Sequence, residues 1–293
     1  MGVHLKKSLA VLGGDAREIT MIKLLIEQGY NMRVFGLPKD LMPPEAHIYA
    51  TCREAVKNAD AVILPMPGIN NLGVLYTKLL QVKVSISQDD LAEINEGVPV
   101  LVGRASRYLK KLAETLKFSL IEVADLDEIA IPNAVPTAEG AIQLAMEKIP
   151  ITIHGSQSMI IGYGRIGEAL AIRLKGLGAE VTVCVRSKNQ LAKCRSLSYH
   201  AKDLDELSDA VHCADLIFNT VPAMIINEQV LHRIKKDAWI IDLASHPGGT
   251  DFEAAKRLGI SAILAPGLPG KVAPLTAGRI LAEAYPAILA AYQ

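Results

Sequence analysis

The stretch Met159-Ile160-Ile161-Gly162-Tyr163-Gly164-Arg165-Ile166-Gly167 decides the fold. It is an apolar run that enters the pattern G-x-G-x-x-G. Glu168 to Leu177 follows with helical spacing, Gly178 stops it, and Glu180-Val181-Thr182-Val183-Cys184-Val185 reads as a second strand. Glycines in this pattern are a weak signal alone. Set between a strand and a helix, with a second strand beyond, they predict a dinucleotide-binding βαβ unit. Gly162 allows the tight turn, Gly164 lets a pyrophosphate approach the backbone, and Gly167 lets helix and strand pack closely. The N–H groups that open the helix, at Arg165 and Ile166, have no acceptor inside it and point at the bound phosphates.

The end of the second strand selects the cofactor. An NAD site places a carboxylate there to accept hydrogen bonds from the ribose 2′-hydroxyl. This chain instead has Arg186-Ser187-Lys188. A guanidinium offers paired donors to a 2′-phosphate, which a carboxylate would repel. The expected cofactor is therefore NADP, held in part by Arg186 and Ser187.

Working outward, the N-terminal part repeats the same unit. Ser8 to Leu12 is an apolar strand, Gly13-Gly14-Asp15-Ala16-Arg17 a turn, Glu18 to Gln28 an amphipathic helix capped by Gly29, and Asn31 to Phe35 a strand. Gly13 to Gly29 spans sixteen positions, as does Gly162 to Gly178. Two βαβ units in phase imply two doubly wound sheets. In the first, Glu18 holds the third glycine's place, and a carboxylate there competes with a pyrophosphate.

Further strands are expected at 61–64, 98–102, 118–123, 215–219, 238–243 and 260–264. Ala124 to Asn133 reads as a connector. A helix is predicted from Pro136, where proline is tolerated at a first turn, to about Lys148. Gly267 to Lys271 reads as a rigid turn ahead of a last helix from about Pro274, which Pro286 should kink or break. The predicted fold class is α/β: two doubly wound Rossmann-like domains with a cleft between them, bridged by two helices. The boundaries are 1–135 for the first domain, completed by the C-terminal helix 272–293, then 136–149 for the interdomain helix, and 150–271 for the NADP-binding domain.

Composition narrows the function class. Lys plus Arg number 31 and Asp plus Glu 31, so no global basic field draws in nucleic acid. Aromatic residues make up only 4%, which argues against base stacking. The four cysteines have no C-x-x-C spacing, so neither a zinc site nor a disulfide frame is expected. No apolar run is long enough for a membrane span, no signal peptide is evident, and the histidines lack metal-ligand spacing. A soluble, cytoplasmic, metal-free protein is expected.

Several motifs carry a family resemblance across nearly the whole chain. They are Gly13-Gly14-Asp15-Ala16-Arg17, Pro136-Thr137-Ala138-Glu139-Gly140, His154-Gly155-Ser156-Gln157, Asp242-Leu243-Ala244-Ser245 with Pro247 to Asp251, and Ala265 to Gly270 with Val272-Ala273-Pro274. Together they resemble the family of dipicolinate synthase A subunits, the dehydrogenase-like component of that enzyme. One departure is His246, where that family usually has Arg. The resemblance implies an NADP-dependent oxidation of dihydrodipicolinate to dipicolinate in the mother-cell cytoplasm during sporulation. The implied partner is the flavoprotein-like B subunit of dipicolinate synthase. The substrate would be dihydrodipicolinate or its 4-hydroxy hydrate.

A dicarboxylate substrate needs cations, hydroxyls or helix-start N–H groups. Arg17 is the first candidate, with Asn133, Thr137 and Ser245 as further substrate-binding residues. Asp15 either takes a proton or holds Arg17, and His246 could accept a ring proton. Cofactor contacts are expected at Gly162, Gly164, Arg165, Ile166, Gly167, Arg186, Ser187, the turn Thr220-Val221-Pro222, and Leu268, Pro269 and Lys271. Two alternatives stay open: another two-domain NADP enzyme of the methylenetetrahydrofolate or shikimate dehydrogenase kind, and a non-catalytic NADP-binding scaffold for the B subunit. Homo-oligomerisation is also left open.

Overall fold

The computed structural model describes residues 7–292. The chain divides into two compact units, Met1–Pro132 with Ala273–Gln293, and Asn133–Val272.

In the first unit β1 (Ser8–Leu12) leads to α1 (Ala16–Glu27), β2 (Asn31–Phe35), β3 (His47–Ile48), α2 (Cys52–Val56) and β4 (Ala61–Ile63). A small hairpin of β5 (Val74–Leu75) and β6 (Val84–Ser85) follows. Then come α3 (Gln88–Leu91), β7 (Pro99–Val102), α4 (Arg107–Leu116) and β8 (Ser119–Glu122). The helix α5 (Asp127–Lys148) begins in the first unit and ends in the second. The second unit continues with β9 (Gln157–Ile161), α6 (Arg165–Gly176), β10 (Glu180–Val185), α7 (Lys188–Ser196) and β11 (His200–Asp203). It is completed by α8 (Leu207–Ala210), β12 (Leu216–Asn219), α9 (Glu228–Leu231), β13 (Trp239–Asp242), α10 (Phe252–Leu258), β14 (Ser261–Leu264) and α11 (Leu268–Val272). The last helix, α12 (Pro274–Ala291), returns to the first unit.

Each unit holds a six-stranded sheet, and the two orders correspond: β3-β2-β1-β4-β7-β8 and β11-β10-β9-β12-β13-β14. Every ladder in them is parallel. This is the doubly wound order, reversing direction beside the first strand of each unit. The inner strands are buried on both faces because helices cover both sides. Alternate residues therefore feed different cores. Leu9 and Val11 of β1 pack into one cluster, while Ala10 and Leu12 pack into another. In β9, Ile160 enters one core and Met159 and Ile161 the other.

Three elements differ from the sequence reading, and each difference comes from packing. The segment read as a connector is helical from Asp127, so Pro132 and Pro136 lie inside α5. A proline inside a helix costs about 3 kcal/mol. Against that, α5 buries an alanine stripe at helical spacing, Ala134, Ala138, Ala141 and Ala145. Gly267 to Lys271 is not a turn throughout, because residues from Leu268 form the short helix α11. Gly140 of α5 makes room for it: a Cβ there would lie 3.1 Å from the Leu268 Cβ and 3.0 Å from a Val272 methyl. Lastly, α12 runs through Pro286 without a break. Pro286 has no N–H for the Ala282 carbonyl, and the Gln28 side chain, just past α1, donates to that carbonyl at 3.3 Å.

Among the described residues no helix is long and apolar enough to cross a membrane. All four cysteines are free.

α1 and α12 approach closely at Gly278, where a Cβ would sit 2.5 Å from the Arg17 carbonyl oxygen and 2.6 Å from the Thr20 Cβ. Gly278→Ala is expected to lower stability by roughly 1–3 kcal/mol. Gly176, in the last turn of α6, is different, because a Cβ there would have no neighbour within 4 Å. Gly176→Ala is expected to be neutral or to stabilise by up to about 1 kcal/mol. Urea unfolding of both variants checks the contrast, and equal effects would contradict the packing argument.

Candidate functional site

The second unit carries an open glycine turn. Gly162 has φ +93°, and a Cβ there would meet the Thr220 Oγ1 at 2.5 Å. Gly167 lies against the turn: a Cβ would come within 2.2 Å of the Gly162 carbonyl oxygen. Between them Gly164 is the N-cap of α6, makes no side-chain cap, and has nothing within 4 Å of where a Cβ would stand. The two outer glycines are thus demanded by protein atoms, whereas the middle one faces open space. That is a cradle a side chain would fill, and it fits the pyrophosphate of a dinucleotide. Glu168 in the first turn of α6 is neutralised by Lys193, whose Nζ lies 2.9 and 3.0 Å from its carboxylate oxygens.

Neighbouring strand ends hold the turn in place. The Thr220 hydroxyl and backbone N–H both donate to the Ile161 carbonyl at 2.9 Å. The Asn219 side chain ties down the Thr220-Val221-Pro222 turn, accepting from the Val221 N–H at 3.1 Å and donating to the Val221 carbonyl at 3.1 Å. Asn219 is itself held by Asp242, to which it donates at 3.0 Å. Asp242 is fully buried and also accepts from the N–H groups of Ala244 and Gly249 and from the Thr250 hydroxyl. A Cβ on Gly249 would lie 2.4 Å from the Ala223 carbonyl oxygen, so this crossing also needs glycine.

Arg186 follows the end of β10, is exposed, and makes no hydrogen bond or ion pair with the described residues. Ser187 is the N-cap of α7, yet its hydroxyl makes no capping bond. Both are available to a ligand. Leu268 is only 5% exposed and its side chain joins the core, leaving its backbone alone for a ligand. Pro269 is half-buried, while Lys271 is exposed. Ile166 packs partly against the core, which leaves its N–H as the group that can face a phosphate.

The first unit closes the corresponding turn. The N-cap of α1 is Asp15, where α6 has Gly164, and the third residue of α1 is Glu18, where α6 has Gly167. The Gly13 N–H donates to the Phe35 carbonyl and the Gly14 N–H to the Tyr76 carbonyl. The Asp15 N–H donates to Glu18 Oε2 at 2.7 Å, and the Arg17 N–H to Asp15 Oδ1 at 3.0 Å. Side-chain carboxylates thus occupy the helix-start donors in a capping box.

Arg17 is 6% exposed and folds back onto Asp15, with Nε at 2.9 Å from Oδ1 and Nη2 at 2.9 Å from Oδ2. The Tyr76 hydroxyl donates to the same Oδ2 at 3.3 Å. Of the two roles open to Asp15, the geometry shows the second: it holds Arg17. Burial pushes the Asp15 carboxyl up, but the bonds and charge of Arg17 outweigh it and leave the group below its ordinary value. A carboxylate so engaged is a weak proton acceptor. Burial drives Glu18 the other way, to about 7, with Arg17 opposing and Asp15 adding to the rise. Its second oxygen, Oε1, is buried without a hydrogen-bond partner.

The remaining candidates all belong to the second unit. The Thr137 hydroxyl donates to the Asn133 carbonyl at 2.7 Å, and the Asn133 Oδ1 is buried without a partner. Ser245 and His246 follow β13, His246 is exposed, and the Gly248 N–H closes a turn onto the Ser245 carbonyl. Among the described residues no group of three or more His, Cys, Asp or Glu side chains is arranged to hold a metal.

Comparison with known proteins agrees with this division. Residues 8–124 match the family model for the N-terminal domain of the dipicolinate synthase A subunit. The A subunit of dipicolinate synthase from Bacillus subtilis (strain 168) is 38% identical over 286 residues, covering 97% of this chain and 96% of the relative. The chain belongs to the family of dipicolinate synthase A subunits. Two crystal structures of the family resemble nearly the whole chain. The Bacillus halodurans protein gives a TM-score of 0.93 at 32% identity, covering 97% of this chain and 98% of that one. The Bacillus subtilis protein gives 0.89 at 38% identity, covering 98% and 97%. Residues 137–246 match the NAD binding domain of D-isomer specific 2-hydroxyacid dehydrogenases, so this member of the family carries a nicotinamide-cofactor dehydrogenase domain.

Sequence reading assigned no role to Tyr76 or Asp242. Asp242 did carry a signal, since a carboxylate ending an apolar strand is buried unless the chain turns at once, and a buried carboxylate needs donors. Tyr76 carried none, because its partner is sixty-one residues away.

Glu18 makes stability depend on pH. The folded state keeps this proton to about pH 7, while the ordinary value is 4.5. The proton favours the folded state fully below 4.5, and the advantage is lost as pH rises through about 7. Asp15, lowered from 3.8, acts in the opposite sense and only at lower pH. Glu18→Gln keeps an acceptor for the Asp15 N–H and removes the titration. Its stability relative to the unsubstituted chain is expected to rise by roughly 2–3 kcal/mol between pH 5 and pH 8. Chemical denaturation across that range checks this, and a pH-independent difference would contradict it.

Proposed function

We propose that this chain is the NADP-dependent dehydrogenase component of a dipicolinate synthase, oxidising dihydrodipicolinate to dipicolinate together with the flavoprotein-like B subunit. The observation that carries the reading is the open cradle at Gly162–Gly167, followed by an exposed, unpaired Arg186 where an NAD site would present a carboxylate. The family supports the substrate, and the matched dehydrogenase domain supports the nicotinamide cofactor. The setting in this reading is the mother-cell cytoplasm of a sporulating bacterium.

When bound, the oxidised nicotinamide supplies a hydride acceptor. A ring C–H of the substrate gives up its electron pair as hydride, a proton leaves to solvent or a base, and the ring becomes aromatic. Aromatisation provides driving force, so the protein's work is alignment and charge handling. Gly164 and the N–H groups of Arg165 and Ile166 take the pyrophosphate. Arg186 and Ser187 take the adenosine 2′-phosphate. The Thr220-Val221-Pro222 turn, fixed through Asn219 and Asp242, lies at the strand end beside the cradle and positions the ribose and nicotinamide, with the α11 backbone and Lys271. In this reading Asp15 is a positioning residue that orders Arg17 and Tyr76. Asn133 offers a buried, unpartnered acceptor to a bound donor, and Ser245 and His246 are left as the polar side chains of the loop after β13.

Arg186→Ala is expected to weaken NADP binding about 10–150-fold, the loss of one charge-assisted contact of about 1.5–3 kcal/mol. NAD binding should change little. Fluorescence titration with both reduced cofactors checks this, and equal weakening would remove the 2′-phosphate role. Freshly made dihydrodipicolinate with NADP should yield NADPH and dipicolinate when the chain is paired with the B subunit. No turnover with or without the partner would sink the proposed reaction.

A further inference from the structure

The segment after β4 and the β5–β6 hairpin line an open cavity of about 320 Å³ in the first unit. Its polar lining is Asn70, Tyr76, Thr77, Lys78, Gln81 and Lys83, and no Asp or Glu lines it. The volume lies at the small end of ligand sites, about 300–1,000 Å³. β4 pairs with β1 where the strand order of this sheet reverses, the position at which open parallel sheets bind ligands.

The walls are built by backbone pairing with the closed glycine turn. The Gly14 N–H donates to the Tyr76 carbonyl at 2.8 Å, and the Lys78 N–H to the Gly14 carbonyl at 3.0 Å. The Tyr76 N–H donates to the Gly68 carbonyl at 3.1 Å, and Asn70 Oδ1 accepts from the N–H groups of Leu72 and Val74. Tyr76 lines the cavity and reaches Asp15, to which its hydroxyl donates. The turn that excludes a pyrophosphate is therefore the support of a different concave surface.

Charge identifies what that surface takes. Arg17, the cation expected to meet the substrate, is spent on Asp15. Lys78 and Lys83 are exposed and form no ion pair among the described residues, and both line the cavity. An ammonium is a point charge that accepts a carboxylate from several directions, so two of them suit two carboxylates without a fixed fork geometry. We infer that this cavity binds a small dicarboxylate, with Lys78 and Lys83 each pairing one carboxylate and Tyr76 backing the ligand. The inference deepens the proposed function, and rests on it for the choice of a dicarboxylate.

The test uses the full chain saturated with NADP and dipicolinate as the probe, followed by isothermal titration calorimetry. Lys78→Met and Lys83→Met are each expected to weaken dipicolinate binding tenfold or more, and the double variant more than either. NADP affinity should stay within twofold in all three, which shows that the second unit is intact. Lys39→Met, an exposed lysine outside the cavity, should leave dipicolinate binding unchanged. Dipicolinate affinity retained in the double variant would overturn the cavity assignment and leave the proposed function standing. An unsubstituted chain that binds NADP but no dipicolinate would overturn the proposed function, and the inference with it.

Discussion

The first N–H groups of a helix have no acceptor within it, and the two units meet that demand in opposite ways. In the first, Asp15 and Glu18 bend back to accept from the donors around the start of α1. A good N-cap contributes about 1 kcal/mol of stability, so this unit is stabilised without a ligand. In the second, Gly164 and Gly167 stand in the corresponding places and bring no side chain. That helix start has no side-chain cap. One strand order thus yields two different surfaces.

Both units also bury a carboxylate at a strand or helix end, with different consequences. Asp242 accepts from two backbone N–H groups, a hydroxyl and the Asn219 amide, and through Asn219 it fixes the turn against which Gly162 closes. Its bonds organise three segments of chain at once. Glu18 accepts from one backbone N–H and leaves Oε1 without a partner. Burial then favours the protonated form of Glu18.

The first unit shows how a motif can be reused. Its glycine turn keeps the strand–turn–helix geometry, with Gly13 and Gly14 at positive φ, but the Tyr76–Lys78 segment lies across it as an added ladder. Lys78 of that segment and Lys83 beyond it line the neighbouring cavity. Arg17 is removed from the surface by the same rearrangement. Its bidentate pairing with Asp15 has the geometry that makes arginine suited to carboxylates, and here the carboxylate is internal.

Much of this was legible along the chain. Apolar runs between glycines fix parallel strands, and the spacing from Gly162 to Gly178, repeated from Gly13 to Gly29, fixes two βαβ units. The lack of an acidic residue directly after Val185 is equally local. Other features were not. Ala124 to Asn133, with Pro132, read as a connector, Pro136 as the first turn of a helix and Pro286 as a kink or break, yet α5 runs through both prolines over its buried alanine stripe, and the carbonyl that Pro286 strands is met by Gln28. Arg17 read as a substrate cation, and Lys78 and Lys83 gave no sign that they share a cavity. By itself the sequence determined the fold and the open glycine turn at Gly162–Gly167, because these follow from backbone conformation over short spans. Only the tertiary structure decided which donors and cations remain available, because a polar group is free or spent according to partners that the fold brings from far along the chain.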